Sequence, residues 1–357
     1  MNALRRLIAL TLLTAFASFG GACTDPPNPF AFSAPDALPV ADAADDAGGD
    51  DAAGPSDVAT DVVAADTSID AVTDVSADAI DGIIVRLGTF NLKRLFDTVC
   101  DSGACGPNDF ESAPAESQLR FRAGQIAQGV AQMDVDIVAI QEIESDAALQ
   151  VLLEEVAAVL GDEWQHGAIG ELGFDGSLDT AVISRFPITE VTLHRDTIAV
   201  FRPDNSRTSF ARELLQVEVS HEGRRVVLFS AHFKSKSNDD AGRRYGEAVS
   251  SRVIIEAFAE ANPDALVVLG GDLNDTPGSD PLNALEEDGG LFRVTSVLGD
   301  EAGTIRYAGT SQAIDHLYLA TNASGVLLEQ SVQIVRDASG SLGGSDHAAV
   351  RATFVMP

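Results

Sequence analysis

The sequence predicts an α/β fold in which mixed β-sheets are covered by helices. From residue 83 onward, short apolar runs rich in Val, Ile and Leu alternate with longer helix-like stretches. Strands outnumber helices, and the strict strand-helix-strand alternation of an all-parallel sheet is missing, which points to mixed sheets. Composition changes sharply near residue 82, so the fold is carried by residues 83–357 of the 357-residue chain.

The segment before that boundary reads as two parts. Residues 1–23 have the pattern of a bacterial export signal: Arg5 and Arg6, an apolar run from Leu7 to Phe19, then Gly20, Gly21 and Ala22 ahead of Cys23. A Cys at that place points to a lipoprotein signal, cut before Cys23 and acylated on its thiol, with Gly20 standing where such signals usually carry Leu; ordinary secretion is the alternative. The protein is therefore expected to be exported, either held at the outer membrane by lipid or free in the periplasm or outside the cell. No other stretch is long and apolar enough to span a membrane.

Residues 24–82 hold 14 Asp and no Lys, Arg or Glu among Ala, Val, Pro and Gly. Like charges repel and little there can pack, so an extended, disordered tether is expected; the irregular Asp spacing argues against calcium-binding repeats. Of the formal net charge of −32, the tether carries −14 and the leader +2, leaving −20 on residues 83–357. Such a domain repels polyanions at long range, which counts against tight non-specific binding of nucleic acid. A polyanionic substrate remains open if cations screen the site.

The elements of the domain follow in order. A strand over 83–92 contains Asn91 near its end. A polar loop with Asp97, Cys100, Cys105 and residues 107–114 leads to a helix over 117–133. The two Cys enclose four residues, and in an exported protein a local disulfide is expected. Residues 135–142 form a second buried strand closing on Gln141 and Glu142, and a helix covers 146–160. Strand and turn occupy 179–188, with further strands near 191–201, 209–220 and 225–232. A helix spans 241–261 with Asn238 or Asp239 as N-cap. The run at 265–269 is a buried strand that breaks at Gly270 and Gly271 into a turn of Asp272, Asn274 and Asp275, closed by Pro277. The last strands lie near 313–320, 325–335 and 349–355.

Polar residues recur at the ends of these apolar strands: Asn91, Glu142, His232, Asp272 with Asn274, Asp315, and Asp346 with His347. Each has a structural reading of its own, Asn91 as a turn residue, Glu142 as a helix-entry charge, Asp315 and His316 as a satisfied core pair. Together they point to a site, because burying ionisable groups without partners is costly. Asp272 and Asn274 leave one face of their strand, the first able to accept a proton or bind a cation, the second to donate a hydrogen bond. Gly270 and Gly271 let a substrate backbone or a neighbouring strand come close. All three Lys stand beside these residues, Lys93 after Asn91, Lys234 and Lys236 after His232. In strand geometry residues 232, 234 and 236 share one face, an anion-reading edge, with solvated lysines as the alternative.

These residues resemble the endonuclease/exonuclease/phosphatase superfamily of metal-dependent phosphoesterases. The motifs occur in order: TFNL at 89–92, DIVAIQEIE at 136–144, AVISRFPI at 181–188, SAHFKSKS at 230–237, GGDLNDTP at 270–277, IDHLYL at 314–319 and SDHAAV at 345–350. The resemblance implies a four-layer α/β sandwich of two mixed sheets flanked by helices, with the active site at one edge. It implies that Glu142, helped by Asn91, holds a divalent cation, Mg²⁺ with Mn²⁺ or Ca²⁺ as alternatives, and that Asp346 completes or adjoins that shell. Asp272 and Asn274 would orient or deprotonate the attacking water, His347 would contact the phosphate with Asp315 orienting its imidazole, and His232 would act from the other side. Lys234, Lys236, Arg185, Arg212 and Arg243 are the candidates for phosphate contact, the arginines with structural ion pairs as the alternative.

The expected function is an exported phosphodiesterase, a nuclease acting as a monomer on DNA or RNA. A phospholipid or inositol-phosphate esterase of sphingomyelinase type is the runner-up, and it would want an exposed apolar hairpin, for which Phe110, Leu172 and Phe174 in the loops at 100–115 and 170–178 are thin support. A calcium site in the Asp97 to Asp109 loop is a further expectation. An inactive binding module is disfavoured, since every candidate site residue is present.

Overall fold

Strands that are apolar on both faces must be covered on both faces, and the central strands here are of that kind. In a computed structural model of the chain, which describes residues 82–357, the chain runs through β1 (Ile83–Leu95), α1 (Glu116–Met133), β2 (Ile137–Ile143), α2 (Asp146–Leu160), β3 (His166–Gly170) and β4 (Asp179–Ser184). Next come β5 (Ile188–Leu193), β6 (Val200–Phe201), β7 (Arg207–Thr208), β8 (Leu215–His221), β9 (Arg224–His232) and α3 (Ala241–Ala261). The remainder is β10 (Leu266–Asp272), α4 (Asp280–Glu286), β11 (Leu291–Arg293), β12 (Ile305–Tyr307), β13 (Thr310–Gln312), β14 (Asp315–Ala320), β15 (Val326–Val335) and β16 (Ala349–Met356). The leader, Cys23 and all but the last residue of the tether lie outside the described residues.

Two six-stranded mixed sheets result, in the orders β15-β16-β1-β2-β4-β3 and β11-β14-β10-β9-β8-β5. In β2, Ile137 and Ala139 enter the core between the sheets, while Val138 and Ile140 enter the core shared with α1 and α2. In β10, Leu266 and Val268 face the first sheet and Val267 and Leu269 face the core shared with α3 and α4. The predicted α/β sandwich of four layers is therefore present, with three apolar cores between them.

Two parallel pairs set up the functional edge. α1 carries the chain back so that β2 lies parallel to β1, and α3 does the same for β10 beside β9. The C-terminal ends of all four strands then meet on one edge. β14 and β16 run antiparallel to β10 and β1, so their first residues reach the same edge. Helix starts are fixed locally: Ser145 accepts from the Ala148 amide (3.2 Å) ahead of α2, and Asp240 accepts from the Arg243 amide (2.8 Å) ahead of α3. The N-cap of α3 is thus Asp240, rather than Asn238 or Asp239, because its carboxylate accepts from the Arg243 amide while that of Asp239 pairs with the Arg244 side chain.

Gly270 and Gly271 serve the approach of protein to protein. A Cβ on Gly271 would stand 2.1 Å from the Ala231 carbonyl oxygen of β9, and one on Gly270 would stand 3.0–3.2 Å from Leu317, Ala139 and Thr89. Other departures from the sequence expectation are local. β3 has a weak pattern, two Gly in five residues, and is recognised only by its pairing with β4. β9 stops at His232, so residues 234 and 236 are not on a strand face.

Candidate active site

Asn91, Glu142, His232, Asp272, Asp315 and His347 converge where the strand ends of the two sheets meet. β1 and β2 lose register between Asn91 and Leu95, and the same irregularity separates Gln141 and Ile143 from β4. Glu142 sits in that bulge with φ of 64°, and Lys93, Arg94 and Asn274 are also left-handed. Bulges and left-handed non-glycine residues re-aim side chains at strand ends and cluster at functional sites.

The side-chain network is continuous. Asn91 Nδ2 donates to Glu142 Oε1 (3.2 Å) and to Asp272 Oδ2 (3.0 Å), joining the two sheets, while its Oδ1 accepts from the Lys93 amide (2.9 Å). Asp272 Oδ1 accepts from the Asn274 amide (2.9 Å), and His232 Nε2 lies 3.7 Å from Asp272 Oδ2. His347 Nδ1 meets Asp315 Oδ2 at 2.8 Å, and Asp272 and Asp315 are direct partners in the β10–β14 register. Asn274 turns its Nδ2 to the Phe233 carbonyl (3.1 Å), anchoring the loop that follows β9.

Three carboxylates and two imidazoles packed together perturb one another. Burial raises the Asp272 carboxyl, and the neighbouring charge of Asp315 raises it further against the pull of His347. Burial alone would lower His347, but the charge and hydrogen bond of Asp315 override it and hold the imidazole above its ordinary value. His232 goes the other way: burial first, then the charges of Arg212 and His347, push it well below the usual histidine range, so it is neutral. Its Nδ1 is buried without a partner.

Some expected residues are placed otherwise. Arg185 lies at the far end of the sheet, 3.1 Å from Asp136, a carboxylate also held by Arg86; it belongs to a structural ion-pair cluster because β4 runs away from the site. Lys236 pairs with Asp275 (3.0 Å), and the Lys234 ammonium donates to the Ser235 carbonyl (2.7 Å), so the shared anion-reading face does not form. Arg243 braces the Ser209 and Phe210 carbonyls, at 2.9 and 3.1 Å. Arg212 does approach the site, 3.4 Å from the Phe233 carbonyl and close enough to act on His232. Asp346 is half exposed at the rim, 3.4 Å from Lys93 Nζ and 4.0 Å from His347 Nε2.

The Cys100–Cys105 disulfide is formed. The acids around it do not converge as the calcium expectation required: Asp97 accepts from the Val99 amide and Ser145 hydroxyl, and Asp109 from the Gly106 amide. Phe110 and Phe174 are exposed, each beneath an arginine, Arg94 and Arg195.

Several supporting residues, Arg244 and Glu247 among them though they follow the HFKSKS motif, were assigned no role from the sequence. Glu247, fully buried in α3, accepts from the Ala211 (2.6 Å) and Lys234 (2.7 Å) amides, and Arg244 joins Asp275 (2.9 Å) to the Lys234 carbonyl (3.1 Å). The available signal was a charged pair in the first turns of a helix directly after His232. Thr89, Gln141 and Ser230 form a buried inter-sheet chain behind the site. His316 is a satisfied core residue between Thr295 and the Asp275 carbonyl, whereas Asp315, one residue earlier, faces the site.

The donor set fits a divalent cation. Asp272, Asp315 and His347 bring ligand atoms within 4.8 Å of one another, but Asp315 and His347 pair with each other, so the carboxylate left beside them for a cation is part-buried Glu142, tied in through Asn91. Carboxylate oxygens in such excess suit a hard cation such as Mg²⁺, Mn²⁺ or Ca²⁺. The other cluster of this kind among the described residues, Cys100, Cys105 and Glu111, has both thiols in the disulfide.

Two mixed sheets flanked by helices thus bring a carboxylate-histidine cluster to one edge. The model of the Endonuclease/Exonuclease/phosphatase family matches residues 88–347, spanning every member of the cluster, and the chain belongs to that family. No curated protein matches the chain in sequence. Among solved structures it is similar to an endonuclease/exonuclease/phosphatase from Bacteroides vulgatus, at 15% identity over 77% of this chain and 100% of that one, TM-score 0.55. It is also similar to a humanized D. rerio TDP2, at 18% identity over 76% and 98%, TM-score 0.51. D. rerio TDP2 complexed with a single-strand DNA product gives 19% identity over 76% and 98%, TM-score 0.50. At these identities the likeness bears on the fold.

Proposed function

We propose that the protein is an exported, divalent-metal-dependent phosphodiesterase that hydrolyses nucleic acid. The observation that carries this reading is the Asn91 bridge between Glu142 and Asp272 beside the Asp315–His347 pair. It supports a reading in which an oxygen-rich cation site, a carboxylate able to take a proton and a charged hydrogen-bond donor surround one point. Glu142, with Asp346 at the rim, would hold the cation, which supplies charge neutralisation at a non-bridging phosphate oxygen.

Asp272 takes the proton of the attacking water as the water oxygen bonds to phosphorus and the bond to the leaving oxygen breaks. Asn91 and Asn274 fix its position through a side-chain and a backbone bond. His347, kept protonated by Asp315, donates to the phosphate as negative charge grows there. His232, held neutral and 3.7 Å from Asp272, lines the opposite wall. Arg212 is the remaining cation near the phosphate position. Nucleic acid is favoured as the substrate because a protein of the same fold, TDP2 of D. rerio, was solved with a single-strand DNA product. Export rests on the sequence of residues 1–23.

The full chain incubated with supercoiled plasmid is expected to nick it with Mg²⁺ and not with EDTA, and Glu142→Ala should abolish the nicking. Folded, metal-binding protein that leaves DNA and RNA intact would remove the nuclease reading.

A further inference from the structure

Beside the end of β1 opens a cleft of about 770 Å³, walled by the last residues of that strand, the disulfide-closed segment and the start of α1. Phe110 stands in it 55% exposed, yet its position is fixed from behind: the buried Phe96 ring packs edge-on at 6.1 Å. The segment carrying it is pinned as well. Glu111 is buried and accepts from the Asp101 and Ser102 amides at 2.6 and 2.8 Å, Asp109 accepts from the Gly106 amide at 2.7 Å, and the disulfide closes the turn. An exposed aromatic held this firmly is a preformed platform.

Arg94 covers one side of that platform, its guanidinium carbon 4.6 Å from the Phe110 ring centre, and no carboxylate pairs with it among the described residues. Lys93 and Arg94 are both left-handed, φ 56° and 61°, which turns them out of the β1 ladder; Lys93 reaches Asp346, the neighbour of His347. The cleft and the reaction centre therefore share a wall only a few residues wide. A guanidinium without a carboxylate partner asks for an anion, and an aromatic ring left more than half exposed beside it asks for a flat apolar ring; one nucleotide offers both. A base within a duplex has no free face to give, and a lipid headgroup brings an anion without a ring.

We infer that this cleft is a subsite for one unpaired nucleotide of the substrate strand, its base on Phe110 and its phosphate on Arg94, next to the phosphate being cleaved. The inference rests on the nuclease reading. It makes the enzyme selective for single-stranded nucleic acid, and it gives the disulfide-closed segment, which carries no group of the reaction centre, a role in substrate choice.

The test uses the full chain with Mg²⁺ on two substrates, a single-stranded oligonucleotide and bis(4-nitrophenyl) phosphate, which is too small to span both sites. Phe110→Ala and Arg94→Ala are each expected to lower the ratio of kcat/KM for the oligonucleotide to that for the small diester about tenfold, through KM. Phe110→Trp should restore the ratio. A ratio unchanged in both alanine variants, with the oligonucleotide still cleaved, overturns the subsite and leaves the nuclease reading standing. Turnover of the small diester by wild type, with neither cleavage nor binding of the oligonucleotide, overturns both.

Discussion

Asp315 and His316 are neighbours in sequence, yet strand alternation sends one to the candidate site and the other into the core. The charge and hydrogen bond of Asp315, 2.8 Å from His347 Nδ1, hold the imidazole above its ordinary value against burial, and on the proposed reading this contact keeps it charged and aimed. Asp315→Asn should lower kcat on the order of 10²-fold with little change in KM or thermal stability; steady-state kinetics beside a melting curve measures both, and wild-type kcat would remove the role assigned to Asp315. His316 makes a different prediction. Burial first, against the opposing Asp275 carbonyl, holds it down at about 4. The unfolded chain therefore takes up a proton that the folded chain refuses, so stability is full above the ordinary histidine value and falls as the pH drops through the interval down to about 4. The loss is on the order of 3 kcal/mol, and His316→Gln should flatten that limb in urea midpoints measured across it. From sequence, the polar strand ends were readable, because an apolar run that stops on Asn, Glu or Asp is conspicuous. Which cations were free was not readable: Arg185, Lys234 and Lys236 have local partners that only packing discloses.

The decisive elements are the ends of β1, β2, β9 and β10, and what they share is close approach. Gly271→Ala would drive a Cβ to 2.1 Å from the Ala231 carbonyl, whereas Gly124 in α1 has nothing nearer than a Glu155 carboxylate oxygen at 3.7 Å. Gly271→Ala is expected to destabilise the domain by about 2–3 kcal/mol and Gly124→Ala to leave it unchanged or slightly firmer. Equal urea midpoints for the two variants would contradict the account of the β9–β10 contact. Long, strongly patterned elements were well predicted: α2 over 146–160 and α3 over 241–261 lie where the pattern put them. β3, α4 and the β12–β13 hairpin were not, because three to seven residues carry too little periodicity and owe their existence to the strands or helices they pack on. The left-handed bulge at Glu142 was also invisible, since nothing in its residue type requires positive φ.

At the scale of the molecule, two parallel strand pairs, one in each sheet, gather residues nearly 260 positions apart onto one edge, from Asn91 to His347. The domain around that edge carries a formal charge of −20. A basic nuclease loses affinity steeply as salt rises, through release of counterions from its substrate. This acidic domain should show a flat or rising kcat/KM for a single-stranded oligonucleotide as monovalent salt increases at constant Mg²⁺, because screening weakens its long-range repulsion. A steep fall would mean that a cationic surface does the binding. The family and the four-layer fold were readable at this scale from ordered motifs; the cleft beside β1 was not, because Phe110 and Arg94 meet across a loop whose path depends on the disulfide and on buried Glu111.

The most direct test of the reaction centre is the dependence of bis(4-nitrophenyl) phosphate turnover on Mg²⁺ concentration, compared between wild type and Glu142→Gln. Wild type should be inactive in EDTA and rise to saturation with Mg²⁺, and Glu142→Gln should stay at least 10²-fold lower at every concentration. Turnover that persists in EDTA, or a Glu142→Gln variant that reaches the wild-type plateau, would contradict a cation site built on Glu142 and Asn91.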